Sequence, residues 1–190
     1  MSYANNRLYI MVQGDPVDAL EARIAKLEAI EDIKRLKQHH IELTDAGYLV
    51  DALVDLWCED GTWLGVFTDI DDPLEAGSRG QTRYHGHDEI RRFWELNGRL
   101  YDFVLHVMIP LDIRVNDDLE TATGTWKWLM PSTRDVDGVP TATWLGGTQS
   151  DEYRRVDGVW KFYTVQVHAD LVATHLGGWV PSRYIEESPV

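Results

Sequence analysis

The spacing of apolar residues changes partway along the chain, and that change limits the possible folds more than any other feature. In the first hundred or so residues apolar side chains recur at three- and four-residue steps; beyond them they recur at every second position. Leu20, Ile24, Leu27, Ile30, Ile33 and Leu36 would line up as one stripe on an α-helix. Asp15 followed by Pro16 marks its start, because Asp accepts first-turn amides and proline at the first helical position has no amide to leave unpaired. The stripe predicts a helix of about 30 residues ending near Asp45, with Gly47 supplying a left-handed cap. Shorter helices are expected around Val50 to Trp57, closed by Glu59-Asp60-Gly61, and around Asp88 to Leu96, where Ile90, Phe93, Trp94 and Leu96 share a face.

From Phe103 the pattern alternates through Leu105, Val107, Ile109, Leu111, Ile113 and Val115, the mark of an extended strand. Asn116-Asp117-Asp118, Asp137-Gly138 and Asp157-Gly158 divide the second half into four such stretches. Asp-Gly suits a tight hairpin because both central residues need positive φ, so an antiparallel meander is expected. With an early strand over Gly61 to Phe67, the pattern reads as an α+β layer with its helices on one face. The polar stretch Asp69 to Gln81 is expected to be a surface connector, with a lid over a cavity as the alternative.

The 190 residues show no internal repeat or linker, so one domain over residues 1–190 is expected, with a core from about 15 to 172 and flexible ends. Apolar residues make up 44%, enough for a full core and too many for a disordered chain. A formal charge of -14 repels phosphate backbones and anionic lipid, which argues against a nucleic-acid or membrane partner. Cys58 has no second cysteine to pair with, and no apolar run approaches the roughly 18 residues of a membrane span. The opening MSYANNRLYIMVQGDP lacks the basic and apolar regions of a secretory signal, so a cytoplasmic protein is expected.

Four polar residues stand out: His40, Asp45, His106 and His168. A five-residue helical step turns about 140°, so His40 and Asp45 do not stack, yet both can border a cavity at the helix end. His39 and His40, or His85 and His87, suggest a metal only superficially. No third ligand stands at a recognised spacing, and neither metal nor cofactor is expected. Trp126, Trp128 and Met130 share a strand face, as core or as the wall of a pocket for an aromatic ligand.

The segment IKRLKQHHIELTDAGYLVDALVDLWCEDGTW, Ile33 to Trp63, resembles the first helices and strand of the SnoaL-like and scytalone-dehydratase-like enzymes. Their pattern has a pocket Asp at a helix end, a polar residue five positions earlier, a second helix, an acidic turn and an aromatic residue opening a strand. Here these are Asp45, His40, Glu59-Asp60-Gly61 and Trp63. Tyr84-His85-Gly86 resembles the lead into the family's third helix, and Val104-Leu105-His106 the strand bearing its catalytic His. Ser150 to Phe162 is similar to the lindane-dehydrochlorinase branch, and the resemblance covers roughly residues 20–170.

The resemblance implies a cone-shaped, curved antiparallel sheet packed on the long helix and two shorter ones, the nuclear transport factor 2-like or cystatin-like fold. It further implies a cofactor-free lyase, a dehydratase or related β-elimination enzyme acting on a hydrophobic aromatic or polycyclic substrate, with possible products including water or formaldehyde. Asp45 and His106 match the family dyad and His40 the group that assists departure of the leaving group, although relatives carry Tyr or Lys there. Trp63, Tyr84, Tyr101 and Leu145 align with pocket walls. Val165 stands where relatives have a pocket Arg, which disfavours a halide leaving group; Gln149, or His168 if it turns inward, is the candidate replacement. Strict alternation puts His168 on the face opposite Val165 and Val167. An isomerase or polyketide cyclase using the same dyad, and a non-catalytic small-molecule-binding module, are the alternatives. A homo-oligomer is expected, a trimer ahead of a dimer.

Overall fold

The structure, a computed structural model, describes residues 16–71, 79–136 and 138–176. Asp15, Asp137, most of the proposed lid and both terminal segments fall outside those residues. Helix α1 (Pro16–Asp45) is followed by α2 (Val50–Asp55), β1 (Trp57–Asp71), β2 (Arg79–His85), α3 (Gly86–Leu100), β3 (Tyr101–Val104), β4 (Val107–Val115), β5 (Thr121–Val136), β6 (Val139–Val156) and β7 (Val159–Thr174). The strands form one sheet in the order β2-β1-β7-β6-β5-β3, with β4 also on β5. This is the expected α+β fold, with one difference in the sheet: β1 runs parallel to β7 while the other pairs are antiparallel.

The expected turns and cap fall where the residues call for them. Gly47 has φ +93° beyond α1, and Asp157 and Gly158, at φ 50° and 81°, join β6 to β7 as a two-residue hairpin. Three boundaries differ. Glu59-Asp60-Gly61 does not close α2, which ends at Asp55; it lies in β1, where the register to β7 slips between Trp57 and Thr62. The turn-forming residues make a bulge, and strand pairing takes Trp57 out of the helix. Part of the expected connector is strand, because Arg79 to Gln81 belong to β2 and Asp69 to Asp71 to β1. The alternating run from Phe103 to Val115 is two strands, broken at Leu105 and His106.

Helix α1 also departs from a uniform buried stripe. Ile33 is fully buried, but Leu20, Ile24 and Leu27 are exposed. Periodicity identifies the apolar face of a helix, not how much of its length another element covers. The helix is about 45 Å long, and only its C-terminal half has the sheet beneath it. There, Ile33, Leu53, Trp57, Ile90, Tyr153 and Phe162 are among the most deeply buried side chains of the core.

Candidate functional site

The break between β3 and β4 positions the site. Leu105 N–H bonds to the Pro131 carbonyl, while His106 leaves the strand ladder with its backbone N–H free to turn toward the end of α1. That N–H donates to both Asp45 oxygens, at 3.2 and 3.1 Å, and His106 Nδ1 lies 2.6 Å from Asp45 Oδ1. Because a carboxylate only accepts, the proton of this short contact resides on Nδ1, and in the neutral imidazole that tautomer leaves the lone pair on Nε2. Two residues separated by 61 positions thus share three hydrogen bonds.

His106 borders a cavity of about 100 Å³. Its walls come from every layer: His40 and Thr44 of α1, Tyr48 beyond it, Phe93, Trp94 and Asn97 of α3, and Trp63, Tyr101, Met108, Trp128, Met130, Leu145, Gln149, Val165 and Val167 of the sheet side. Trp128 is paired with Gly147, which has no side chain to compete for the same space. A Cβ on Gly147 would collide with the His168 carbonyl oxygen, so the bulge at Gly146 and Gly147 requires glycine. Tyr48 adopts a left-handed φ of 56°, a conformation that costs a non-glycine residue of order 1–3 kcal/mol, and its ring stacks on Trp94 at 6.1 Å.

His40 reaches the cavity from α1, about one and a half turns of helix before the Asp45 end. Its ring meets Trp94 edge-on at 5.2 Å and Phe162 at 5.3 Å, and its Nδ1 has no hydrogen-bond partner among the described residues. Desolvation holds its pKa well below the usual imidazole range, and repulsion from the Lys37 ammonium, and from His106 and His39 whenever they carry a proton, lowers it further. His40 is therefore a neutral imidazole, able to donate from one nitrogen and accept at the other.

Of the pocket residues expected from the sequence, Trp63, Tyr101, Trp128, Met130, Leu145, Gln149 and Val165 line the cavity, whereas Tyr84, Trp126 and His168 do not. Tyr84 packs behind the wall against Trp63 and Phe93, at ring distances of 6.0 and 5.0 Å. Trp126 lies deeper, donating its indole N–H to Tyr153 Oη at 3.1 Å. His168 is across the sheet, with Nε2 at 2.9 Å from Gln166 Nε2, the outcome that strict alternation from Val165 and Val167 requires. Thr44, Tyr48, Phe93, Trp94, Asn97, Met108 and Val167 complete the lining without having been singled out. For Thr44 the signal was present: Ile33, Lys37, His40 and Thr44 follow one helical stripe.

Three of the four histidines considered for a metal have other partners. His85 Nδ1 lies 2.9 Å from Thr62 Oγ1, His87 Nε2 donates to the Trp57 carbonyl at 3.1 Å, and His39 faces Glu42 at 3.5 Å. Among the described residues no three metal-ligating side chains converge, and no helix is long and apolar enough to cross a membrane.

Comparison with known proteins follows the same architecture. A hexachlorocyclohexane dehydrochlorinase is 18% identical, with a TM-score of 0.60 over 93% of this chain and 100% of that one. A scytalone-dehydratase-like protein from Novosphingobium aromaticivorans is 18% identical, with a TM-score of 0.62 over 86% and 97%. A nuclear transport factor 2-like protein with a cystatin-like fold, from the same organism, is 21% identical, with a TM-score of 0.56 over 88% and 95%. No curated protein matches in sequence. The SnoaL-like domain matches residues 25–166, three quarters of the chain, and the protein belongs to that family.

Proposed function

We propose that the protein is a cofactor-free lyase of the dehydratase type, acting on a hydrophobic aromatic or polycyclic metabolite. The observation that carries this reading is the 2.6 Å contact between His106 Nδ1 and Asp45 Oδ1 beside an apolar cavity. Asp45 fixes the imidazole tautomer and stabilises the imidazolium that forms; His106 Nε2 takes a substrate proton. The electron pair left behind makes the new double bond, and the leaving hydroxyl departs from the neighbouring carbon. His40, neutral in its aromatic setting, assists that departure by hydrogen bonding, while the proton on His106 is available to complete a molecule of water. Val165 offers neither charge nor a donor to a leaving halide, which supports water, or water with formaldehyde from an aromatic diol, over chloride.

The cavity limits how the substrate sits. It is smaller than the roughly 150 Å³ engineered cavity known to admit benzene, at about 100 Å³. A substrate with several rings therefore places one ring against Trp63 and Trp128 and extends the rest through the mouth or displaces side chains. We also infer a homo-oligomer, with a trimer favoured by the family resemblance: Phe103, Leu105, Val107, Ile109 and Leu111 expose apolar side chains along β3, β4 and their junction, as a neighbouring copy would cover. A cytoplasmic site of action accompanies the reading.

Product mass tests it. Aromatic alcohols, diols and steroid alcohols incubated with wild-type protein and with His106→Ala are analysed by mass spectrometry, with circular dichroism to check folding. The proposal expects products lighter by water, or by water and formaldehyde, and a loss of about 100- to 10,000-fold in turnover for His106→Ala. Products of unchanged mass would replace the lyase with an isomerase or cyclase. Undiminished turnover in a folded His106→Ala protein would remove the dyad from the mechanism.

A further inference from the structure

Below the apolar walls, the cavity rests on a polar layer that the elimination chemistry does not use. Lys37 of α1 and Asp151 of β6 have side chains only 1% and 0% exposed and form an ion pair of 2.8 Å. Asp151 Oδ2 also accepts from the Tyr153 hydroxyl at 2.6 Å, and Oδ1 from Gln149 Nε2 at 2.8 Å. Trp126 donates in turn to Tyr153. Gly124 makes room for this: a Cβ there would lie 3.0 Å from Trp126 Nε1 and 3.1 Å from the Tyr153 ring.

The layer has a consequence for the one member that borders the cavity. A glutamine in an ordinary pocket can rotate its amide and offer either a donor or an acceptor. Gln149 is not free to do so, because turning its oxygen toward Asp151 would set two acceptors against each other in a buried site. Asp151, its charge matched by Lys37, fixes the nitrogen inward and leaves the oxygen as the acceptor that Gln149 presents to the cavity it lines. From this geometry we infer that Gln149 is a specificity residue whose amide oxygen reads a hydroxyl or N–H donor on the substrate, with Asp151 and Lys37 as its positioning residues. This rests on the cavity being the substrate site proposed above. Gln149 is on β6, separated by β5 from the chain that carries His106, so proton abstraction and donor recognition fall to different strands.

A site built to accept a hydrogen bond rejects a ligand that lacks the donor, because its own acceptor is then left unpaired. The test uses the full chain carrying His106→Ala, so that the dyad cannot bind the hydroxyl and nothing turns over. Two single-ring probes, p-cresol and 4-methylanisole, differ only in whether the ring oxygen carries a hydrogen, and NMR titration of the indole N–H signals measures binding of each. The inference expects p-cresol to bind about tenfold more tightly, and expects that preference to fall to within about twofold when Gln149→Leu or Gln149→Met is added. It also expects the preference to shrink in Lys37→Met/Asp151→Asn, where the amide is free to turn. Equal binding of the two probes, or a preference that survives in folded Gln149→Leu and Gln149→Met proteins, overturns the role of Gln149 while leaving the cavity as an aromatic site. Failure of both probes to bind overturns the cavity reading itself, and the role of Gln149 with it.

Discussion

Helix α1 contributes to two acid–base pairs eight residues apart, and the contrast between them separates support from reactivity. Lys37 and Asp151 have side chains 1% and 0% exposed, and both carboxylate oxygens are occupied by donors from Lys37, Gln149 and Tyr153. His106 and Asp45 are 18% and 22% exposed, and only Nδ1 of the imidazole is tied to the carboxylate. The first pair is closed: its charges are matched and desolvated, both carboxylate oxygens are taken, and the Lys37 ammonium lies against the Phe162 and Trp126 rings at 5.1 and 5.5 Å. The second is open at one nitrogen. Burial thus makes the inner pair an anchor whose loss exposes a large desolvation penalty, while partial exposure lets the outer pair exchange a proton with a ligand.

The largest expected effect comes from breaking the closed pair. Lys37→Met leaves the Asp151 charge buried without its partner and is expected to cost about 3–5 kcal/mol in urea unfolding. Adding Asp151→Leu removes the orphaned charge and should regain more than half of that. A Lys37→Met protein with unchanged stability would show that the two pairs do not differ as described.

Asp45→Asn has the reverse profile. The amide oxygen can still accept from the His106 backbone, so stability should change by no more than about 1 kcal/mol, the scale of one hydrogen bond. Turnover should fall about 100-fold or more, because the imidazole loses the group that fixes its tautomer and stabilises its charge. Steady-state kinetics beside a melting curve read both quantities. A large loss of stability with turnover intact would make the outer pair structural.

His40, between the two pairs on α1, gives the smallest and most graded effect. Its folded-state pKa is depressed by burial and by nearby positive groups, chiefly Lys37. Between that lowered value and the ordinary imidazole value near 6.5, the unfolded chain binds a proton that the folded chain does not. Stability contributed by the neutral ring is therefore present above about pH 6.5 and lost as pH falls, at up to about 1.4 kcal/mol per pH unit. Urea midpoints at several pH values from 7 to 5 should decline more steeply for wild type than for His40→Leu. Parallel profiles would mean that His40 takes up its proton while folded.

How legible each region was in the sequence follows the same division. Local rules describe α1, the Gly47 cap and the Asp157-Gly158 hairpin, because each depends on residues within a few positions of one another. They do not describe β2, since Arg79–His85 carries only one large apolar side chain, Tyr84, too weak a signal to mark the strand that pairs with β1. Nor do they describe the break at Leu105 and His106, where the apolar alternation continues unchanged through the gap in the ladder. Asp45 and His106 stand out singly, but only the family resemblance pairs them, since no spacing rule joins residues 61 positions apart. Lys37 and Asp151 were not singled out, although parity held a sign of them. Lys37 shares the buried stripe of Ile33, and Gln149, Asp151 and Tyr153 share the strand parity of Leu145. Charged residues on core-facing positions need a partner, and only the tertiary structure shows which residue supplies it.

The central claim is that His106 holds its proton on Nδ1, against Asp45, and keeps Nε2 as a free base. Long-range 1H–15N NMR of protein labelled at histidine, with His106→Ala to assign the signal, reads both ring nitrogens directly at neutral pH. The account predicts a protonated Nδ1 and an unprotonated Nε2. A proton on Nε2, alone or together with one on Nδ1, would contradict it.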